Sequence, residues 1–457
     1  MSDENHINGL ERKLGLFPVT NIVIANMIGT GIFVTSGLLM AGLNNPLIMI
    51  MLWVAGGIMA LLGAMCYGEL GAAYPSAGGE YIFLSKLFHP LVGFLSGWVS
   101  FIVGFSAPIA AASIGFSEYF VRAAPQVILW GEAIGIPDPQ LIKRILSALV
   151  ILLFTLVHLR GLKFGTAIQN GLTIYKIILL AGFLIIGFLF GKGDIGHMVQ
   201  GLEYSFDFGG WKTIGLSFLW ITFAYSGWNA STYIGSEIRN PVKNIPYSLL
   251  LGTGLVMVLY VALNILFVYA IPPEEMKGVL SIGGLAVGNL FGKSWEQIFS
   301  LLVSFALFSS ISAFIILGPR VYFAMAKRGH FFRFASKVHP RTQAPYLSII
   351  IQSVIAIIMV MSGTFDQILT FMGFSLGIFP IIAVIGVFKL RSTGKSKIKM
   401  PGFPYVPGLY ISIAFVILLL AIFERPVESF IAIGTVLVGI PAYYLFSGTI
   451  KNKNILP

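Results

Sequence analysis

Two short clusters of small and polar residues interrupt long apolar stretches of this sequence. The first is Gly29-Thr30-Gly31, and the second runs from Phe223 to Asn229 as Phe-Ala-Tyr-Ser-Gly-Trp-Asn. Glycines beside a small hydroxyl residue unwind a helix easily and leave backbone groups without partners. Amides at the start of a helix bind a carboxylate, and carbonyls freed at the end of a helix accept from an ammonium group. A ligand with both charges separated by one carbon, an α-amino acid, suits such a pair of breaks.

Each cluster alone is equally well explained as a notch for close helix packing. Two clusters in matching positions favour a binding site instead. Neither cluster contains an acidic residue, and none of the 18 aspartates and glutamates falls at predicted mid-membrane depth. A polyamine or a cationic amino acid, which needs a counter-charge, is therefore a less favoured ligand.

The elements that carry these clusters are membrane helices. Of the 457 residues, 57% are apolar or aromatic and only 10% are charged. Soluble domains carry about 25% charged residues, so the composition excludes a soluble enzyme and a disordered chain. A helix needs about 20 mostly apolar residues to cross a bilayer. This criterion predicts an all-α integral membrane protein with twelve transmembrane helices, at 16–41, 46–67, 91–121, 145–159, 169–190, 213–234, 246–271, 295–317, 345–362, 367–388, 405–423 and 427–447.

The net charge of +11 is explained by topology, and nucleic-acid binding is not expected. Twelve spans place both termini on one side, where the loops hold 20 of the 29 lysines and arginines, against 8 on the other side. The positive-inside rule therefore predicts cytoplasmic termini in a plasma membrane. The first 15 residues lack the apolar core of a signal peptide. The lone cysteine, Cys66, lies in the second span, so no disulfide forms within the chain.

The spacing of the breaks predicts two related halves. The breaks near residues 30 and 226 lie about 196 residues apart, and the fifth and tenth spans begin about 198 apart. Each half has five spans, an odd number, so the second half is inverted in the membrane, as in the LeuT-like fold. The predicted organisation is a cytoplasmic segment, two five-helix repeats, two additional helices and a cytoplasmic tail, at 1–15, 16–190, 213–388, 405–447 and 448–457.

Lys176 is the one charged residue predicted inside the membrane. It lies about seven residues into the fifth span, roughly 10 Å deep. Its side chain either snorkels back to the interface or faces the first span and Ser309, Ser310 and Ser312 of the eighth. In the second case its ammonium occupies the space in which a sodium ion would otherwise bind. Whether it then stays protonated or cycles as a proton carrier depends on its pKa.

The chain resembles the APC (amino acid–polyamine–organocation) superfamily, and most closely its L-type amino acid transporter branch and bacterial relatives, among them the serine/threonine exchangers. The residues that carry the resemblance are spread along the chain: 28–33 (Ile-Gly-Thr-Gly-Ile-Phe), 75–81, 223–229, 237–246 and 319–326.

The resemblance implies that the amides of Thr30 and Gly31 hold a substrate carboxylate. It also implies that the carbonyls of Met27, Phe223 and Ser226 hold the amino group, with the Phe223 ring as an outer gate. Lys176 matches a fifth-helix lysine that is typical of sodium-independent members. The candidate substrate-binding residues are Met27, Gly29, Thr30, Gly31, Phe223, Ala224, Ser226 and Gly227. The candidate gating and coupling residues are Phe223, Lys176, Ser309, Ser310 and Ser312, and no catalytic residue, metal ligand or cofactor is predicted.

Two positions depart from the family pattern. Ser312 stands where this branch often has asparagine, which puts the coupling details in doubt. Animal L-type transporters join a glycoprotein subunit through an external cysteine, and the loop at 122–144 has none. No disulfide-linked partner is therefore expected, and the chain is predicted to be a monomer or a weak homo-oligomer.

The favoured function is secondary transport of neutral L-amino acids by alternating access, as a sodium-independent exchanger or a proton-linked carrier, in a bacterial cell membrane. Sodium symport, a polyamine or cationic amino acid permease and a channel are alternatives. A membrane-embedded enzyme is disfavoured because no paired carboxylates, metal cluster or nucleophile with a base falls at mid-membrane.

Several polar residues near the predicted cytoplasmic surface have simpler interpretations. Glu69, Glu80, Glu237 and Arg239 form closing ion pairs or are solvated loop charges. Three histidines, His158, His330 and His339, are isolated at helix ends without metal-ligand spacing.

Overall fold

The computed structural model describes residues 12, 14–76, 78–160, 162–327, 329–337 and 345–451. These residues form helices joined by short connections, with no β-strand among them. One isolated parallel bridge joins Leu14 to Ile238. The all-α prediction is confirmed for this part of the chain. The predicted terminal segments 1–15 and 448–457 lie largely outside the described residues, and His339 lies wholly outside them.

The α-helices of the described chain are numbered here in chain order. The first ten are α1 (Leu16–Met27), α2 (Thr30–Leu43), α3 (Pro46–Ala73), α4 (Glu80–Leu87), α5 (Pro90–Val99), α6 (Ser106–Ala123), α7 (Gln126–Ala133), α8 (Pro139–Leu159), α9 (Leu162–Phe190) and α10 (Phe208–Ala224). The others are α11 (Ala230–Tyr233), α12 (Pro241–Ala270), α13 (Pro273–Met276), α14 (Ile282–Phe291), α15 (Lys293–Lys327), α16 (Tyr346–Ser362), α17 (Phe365–Ser392), α18 (Tyr405–Glu424) and α19 (Pro426–Lys451). A π-helical turn, Ser100–Gly104, joins α5 to α6, and 3₁₀ turns cover Ile195–Val199, Gly235–Glu237 and Arg333–Ser336.

Ten helical segments of the described chain are long and apolar enough to cross a membrane. Every predicted span coincides with a helix. The sixth and ninth predicted spans correspond to α10 and α16. Each of these helices has 17 residues and is therefore shorter than the about 20 residues that typically cross a bilayer. The membrane-protein prediction is thus supported, while the count of twelve crossings stays a prediction. The fourth predicted span is shorter than the helix it corresponds to. α8 begins at Pro139, because the Asp138 side chain accepts from the Gln140 amide and caps the start of the helix.

Local sequence explains where several spans begin. Asn45 Oδ1 accepts from the Ile48 amide, with Pro46 as the first helical residue of α3. At the start of α17, Thr364 and Gln367 form a reciprocal capping box. Such caps satisfy amides that have no partner inside the helix, and each is worth about 1 kcal/mol.

The helices that contain the two breaks lie against one another in the bundle. α1 packs on α12 and α11, and α2 packs on α10, α3, α6 and α14. α12 runs along α3, and α15 runs along α6. The two interrupted helix pairs, α1–α2 and α10–α11, are therefore held together by the long helices α3 and α12, each of which packs on members of both pairs.

Candidate substrate-binding site

The first break separates α1 from α2 at Ile28 and Gly29. Gly29 is extended, with φ −117° and ψ −156°, and no side chain caps the start of α2. Thr30 is 3% exposed and Gly31 is buried. The amides of Thr30 and Gly31 have no partner among the described residues. The predicted interruption is present, and it leaves two buried donors available where the helix dipole favours an anion.

The second break follows Ala224, the last residue of α10. The Ser226 amide donates to the Phe223 carbonyl at 2.7 Å, which closes a tight turn. Gly227 has φ +94°, a conformation that favours glycine, and α11 begins at Ala230. Phe223 is buried at 7% exposed, whereas Ser226 is half-buried. The Phe223 carbonyl, predicted to hold an amino group, is thus already bonded on one side.

The two breaks touch each other. A Cβ added to Gly31 would lie 2.4 Å from the Ala224 Cα, so these two backbones are in direct contact. A Cβ added to Gly227 would lie 2.9 Å from the Asn26 carbonyl carbon, at the end of α1. Six of the eight predicted binding positions, at 29–31, 224, 226 and 227, therefore lie in or beside one contact between interrupted helices. The remaining two, Met27 and Phe223, border it as the last turns of α1 and α10.

A tyrosine hydroxyl that the sequence analysis missed bridges the first break. Tyr260 Oη donates to the Met27 carbonyl at 2.6 Å, and the Gly29 amide lies close to the same hydroxyl. Its ring packs edge-on against Trp53 and tilted against Tyr225, with centroids 5.6 and 5.1 Å away. The only sequence signal for this role is a hydroxyl-bearing aromatic residue within an apolar span.

Lys176 lies inside the bundle, not at the interface. Its side chain is completely buried, and Nζ donates to the Ile28 carbonyl in the first break. Of the two predicted orientations, snorkelling is therefore wrong, and the side chain faces the first span. Lys176 thus supplies a donor at the end of α1, where carbonyls have no helical partner.

The serines of α15 were predicted to surround Lys176, and this is only partly correct. Ser310 Oγ lies 3.9 Å from the position of a Cβ built on Gly29, so α15 does border the break. The buried hydroxyls of Ser309 and Ser310 have no hydrogen-bond partner within the part of the chain that the structure describes. Ser312 is turned elsewhere, because its hydroxyl bonds the His158 ring at 2.9 Å. His158, in the last turn of α8, is thus hydrogen-bonded to α15.

Glu69, near the end of α3, and Glu80, at the start of α4, are buried and do not pair as predicted. Glu69 forms a bidentate ion pair with Arg391 at 2.6 and 2.8 Å and also accepts from the Met400 amide. Glu80 is bonded to neutral side chains. Arg239 donates to the Arg12 carbonyl. The structure therefore replaces the predicted mutual pairs with a tether from α3 to the connection after α17.

Sequence comparisons identify the kind of protein that carries this arrangement. The model of the amino acid permease family matches residues 14–445. This chain belongs to that family. It is 28% identical over 452 residues to b(0,+)-type amino acid transporter 1 of Mus musculus, covering 97% of this chain and 90% of the relative. It is 28% identical over 446 residues to the serine/threonine exchanger SteT of Bacillus subtilis (strain 168), covering 96% and 97%. It is 26% identical over 449 residues to large neutral amino acids transporter small subunit 2 of Mus musculus, covering 95% and 81%.

Family membership confirms the resemblance drawn from the residue clusters. The match begins before the first break and ends within α19, so both breaks and Lys176 lie inside it. The relatives are transporters by name, which speaks against an enzyme.

Replacing Tyr260 with phenylalanine tests whether its hydroxyl supports the site. We expect Tyr260→Phe to weaken amino acid binding about 2- to 10-fold, because a buried hydrogen bond is worth about 0.5–1.5 kcal/mol. Tyr322→Phe is the matched control, since the Tyr322 hydroxyl is buried and bonds the Ser100 carbonyl at 3.3 Å in the π-helical turn, outside both breaks. Both variants should lose similar thermal stability. Equal binding losses in the two variants would contradict a specific role for Tyr260.

Proposed function

We propose that this protein is a secondary transporter that moves neutral L-amino acids across the plasma membrane by alternating access. It works as a sodium-independent exchanger or a proton-linked carrier. The observation that carries the proposal is the direct contact between the two helix breaks, Gly31 against Ala224, which brings two sets of unpaired backbone groups together.

The chemistry of the breaks supports a zwitterionic ligand. The free amides of Thr30 and Gly31 suit a carboxylate. The Met27 and Phe223 carbonyls each hold one donor, and a carbonyl oxygen has a second lone pair for an ammonium group. No carboxylate of the described chain bonds residues 27–31 or 223–227, which favours a neutral substrate side chain.

The packing around Thr30 supports a compact pocket for the substrate side chain. A Cβ added to Gly115 of α6 would lie 2.8 Å from Thr30 Cγ2. The third predicted span therefore approaches the first break through a glycine. Side-chain selectivity then depends on α6 as well as on the two breaks.

We also propose the twelve-helix topology with two inverted five-helix repeats at 16–190 and 213–388, two additional helices at 405–447, and cytoplasmic termini. The corresponding positions of the two breaks support the repeat. The ion pairs also support the topology, because each pair joins residues that the proposed topology places on the same side of the membrane. One lies on the side of the termini, Glu69–Arg391, and others on the opposite side, Arg122–Glu296, Lys143–Glu118, Lys212–Glu424 and Arg425–Asp366.

Two features support sodium independence and the absence of a covalent partner. The Lys176 side chain, bonded to the Ile28 carbonyl in the break that Ser310 borders, supplies the positive charge that a sodium ion would bring. Cys66 is a free, buried thiol. A subunit linked by a disulfide would need an accessible thiol.

Reconstitution into proteoliposomes tests the proposed function. We expect uptake of a labelled neutral amino acid to be stimulated by unlabelled substrate inside or by an inward proton gradient. In a competition panel of the twenty amino acids, the neutral L-isomers should compete and the acidic and basic ones should not. Uptake that collapses when sodium is replaced by an impermeant organic cation would contradict sodium independence. Uptake indifferent to both internal substrate and the proton gradient would contradict both coupling modes.

A further inference from the structure

Glu80, the first residue of α4, is a buried carboxyl whose partners are all neutral. It is 9% exposed. Its Oε1 accepts from the Tyr67 hydroxyl at 2.7 Å and from the Asn229 amide nitrogen at 3.0 Å, and Ser96 bonds the same carboxyl. No cation of the described chain pairs with it. An ionised carboxylate in such surroundings is costly unless it is paired.

The groups that face Glu80 from the surrounding helices do not supply a positive charge. Phenols approach it from α3, α11 and α18: Tyr67, Tyr233 and Tyr410. The nearest charged groups on α3, α4 and α17 have other partners. Glu69 and Arg391 pair with each other, Lys86 lies over the Tyr74 ring and Lys389 over the Phe88 ring. Of the nearby histidines, His89 caps α5 through the Leu91 amide and His330 bonds Tyr81.

Glu80 is attached to the segment that follows the second break. Asn229, which bonds its carboxyl, is the residue immediately before α11. The Gly78 amide donates to the Tyr233 carbonyl at 3.2 Å. Gly79 has φ +48°, and a Cβ on it would lie 2.7 Å from the Tyr233 ring. Any movement of the segment 229–233 therefore changes the surroundings of this carboxyl.

Burial favours the protonated form of this carboxyl. It raises the pKa of Glu80 from 4.5 to about 7, so desolvation outweighs the hydrogen bonds from Tyr67, Asn229 and Ser96. Because the buried state binds a proton more tightly than the exposed state, the closed arrangement is most stable in acid. Its stability falls as the pH rises from about 4.5 through about 7.

We propose that Glu80 is a proton-binding site that takes up a proton when the segment 229–233 closes over it and releases the proton when that segment moves away. The reaction is the simple equilibrium between the carboxylate with an aqueous proton and the carboxylic acid. The inference rests on the proposed alternating-access function, because that cycle is what moves the segment. It assigns the proton that is taken up on closure of this segment to Glu80.

Difference infrared titration of the purified full-length protein tests proton binding without any transport. Between pH 5 and pH 9, we expect the carbonyl band of a protonated carboxylic acid to disappear with a midpoint near 7, and Glu80→Gln to lack that band. Tyr67→Phe removes a donor to the carboxylate, so its midpoint should rise by about one pH unit. Glu118→Gln, which alters a carboxyl paired with Lys143, should leave the midpoint unchanged. A band that is already absent at pH 6, or one that survives in Glu80→Gln, overturns the proposal.

A transport measurement tests whether proton binding at Glu80 is coupled to the transport cycle. Glutamine resembles the protonated acid and still accepts from Tyr67, so we expect Glu80→Gln to fold, to bind substrate and to exchange at a rate independent of pH between 6 and 8. The wild-type rate should change several-fold over that range. A wild-type pH profile retained by Glu80→Gln overturns the coupling of this proton to transport. If the wild-type protein moves no amino acid at all, the proposed function fails, while the infrared titration still decides whether Glu80 binds the proton.

Discussion

Gly31→Ala should abolish amino acid transport while the protein still inserts into the membrane. The added Cβ would lie 2.4 Å from the Ala224 Cα and 2.5 Å from its Cβ, so the start of α2 and the end of α10 must separate. Overpacking of this kind costs about 1–3 kcal/mol, and it falls on the contact that aligns the two breaks. We therefore expect substrate affinity to fall by about 10- to 100-fold. The measurement is equilibrium binding of a labelled neutral amino acid to the purified variant.

Gly29→Ala is the matched control, two residues away in the same break. Its Cβ would lie 3.8 Å from the Met27 carbonyl oxygen and 3.9 Å from Ser310 Oγ, which is ordinary contact. The extended conformation of Gly29 is open to any residue. We expect this variant to bind within about threefold of wild type. If Gly31→Ala binds as well as Gly29→Ala, the contact between the breaks is not the substrate site.

Lys176→Met should produce the second large loss of transport activity. Methionine fills a similar volume but has no donor, so the Ile28 carbonyl loses its partner at the end of α1. An unpaired buried polar group costs about 1–3 kcal/mol, and the positive charge that balances the end of α1 is lost as well. We expect exchange in proteoliposomes to slow by about 10- to 100-fold.

Tyr175→Phe is the control for Lys176→Met. It removes a hydroxyl that bonds the Leu302 carbonyl of α15 at 2.7 Å, next to Lys176 in sequence but away from the break. Its exchange rate should stay within about twofold of wild type. A Lys176→Met protein that exchanges at the wild-type rate would exclude the ammonium from the transport cycle. One that is slow but keeps the wild-type pH profile would agree with a fixed charge, and one with a flattened profile would make Lys176 the titrating group.

The positions of the helices and of both breaks could be predicted because they depend on properties of single segments. The free energy of placing about 20 apolar residues in lipid is a sum over neighbouring residues. The ease of unwinding at Gly29-Thr30-Gly31 comes from the missing side chains of the glycines themselves. The structure accordingly ends α1 at Met27, just before the first predicted cluster, and α10 at Ala224, within the second. The fourth span is predicted to begin at 145, after the start of α8, because Lys143 and Arg144 interrupt the apolar run. In the structure the helix includes both residues, and Lys143 is paired with Glu118.

Partners across the bundle could not be predicted, because a membrane helix is often apolar on every side and its sequence period does not tell which side faces inward. Ser312 was assigned to Lys176, yet the packing of α15 on α8 turns it to His158. The sequence predicts that Glu80 lies near the membrane surface. Its carboxyl is instead enclosed by Tyr67 and Asn229, which lie 13 and 149 residues away in sequence.

From sequence alone, the chain is identifiable as a membrane transporter of its family, with two interrupted helices and one lysine at membrane depth whose orientation stays open. Tertiary structure alone decided what those features touch. Tyr260 reaches the Met27 carbonyl across 233 residues, and Lys176 reaches Ile28 across 148. The physical reason is that breaks arise from local backbone freedom, whereas hydrogen-bond partners are selected by the packing of distant helices, which must satisfy every buried polar group at once.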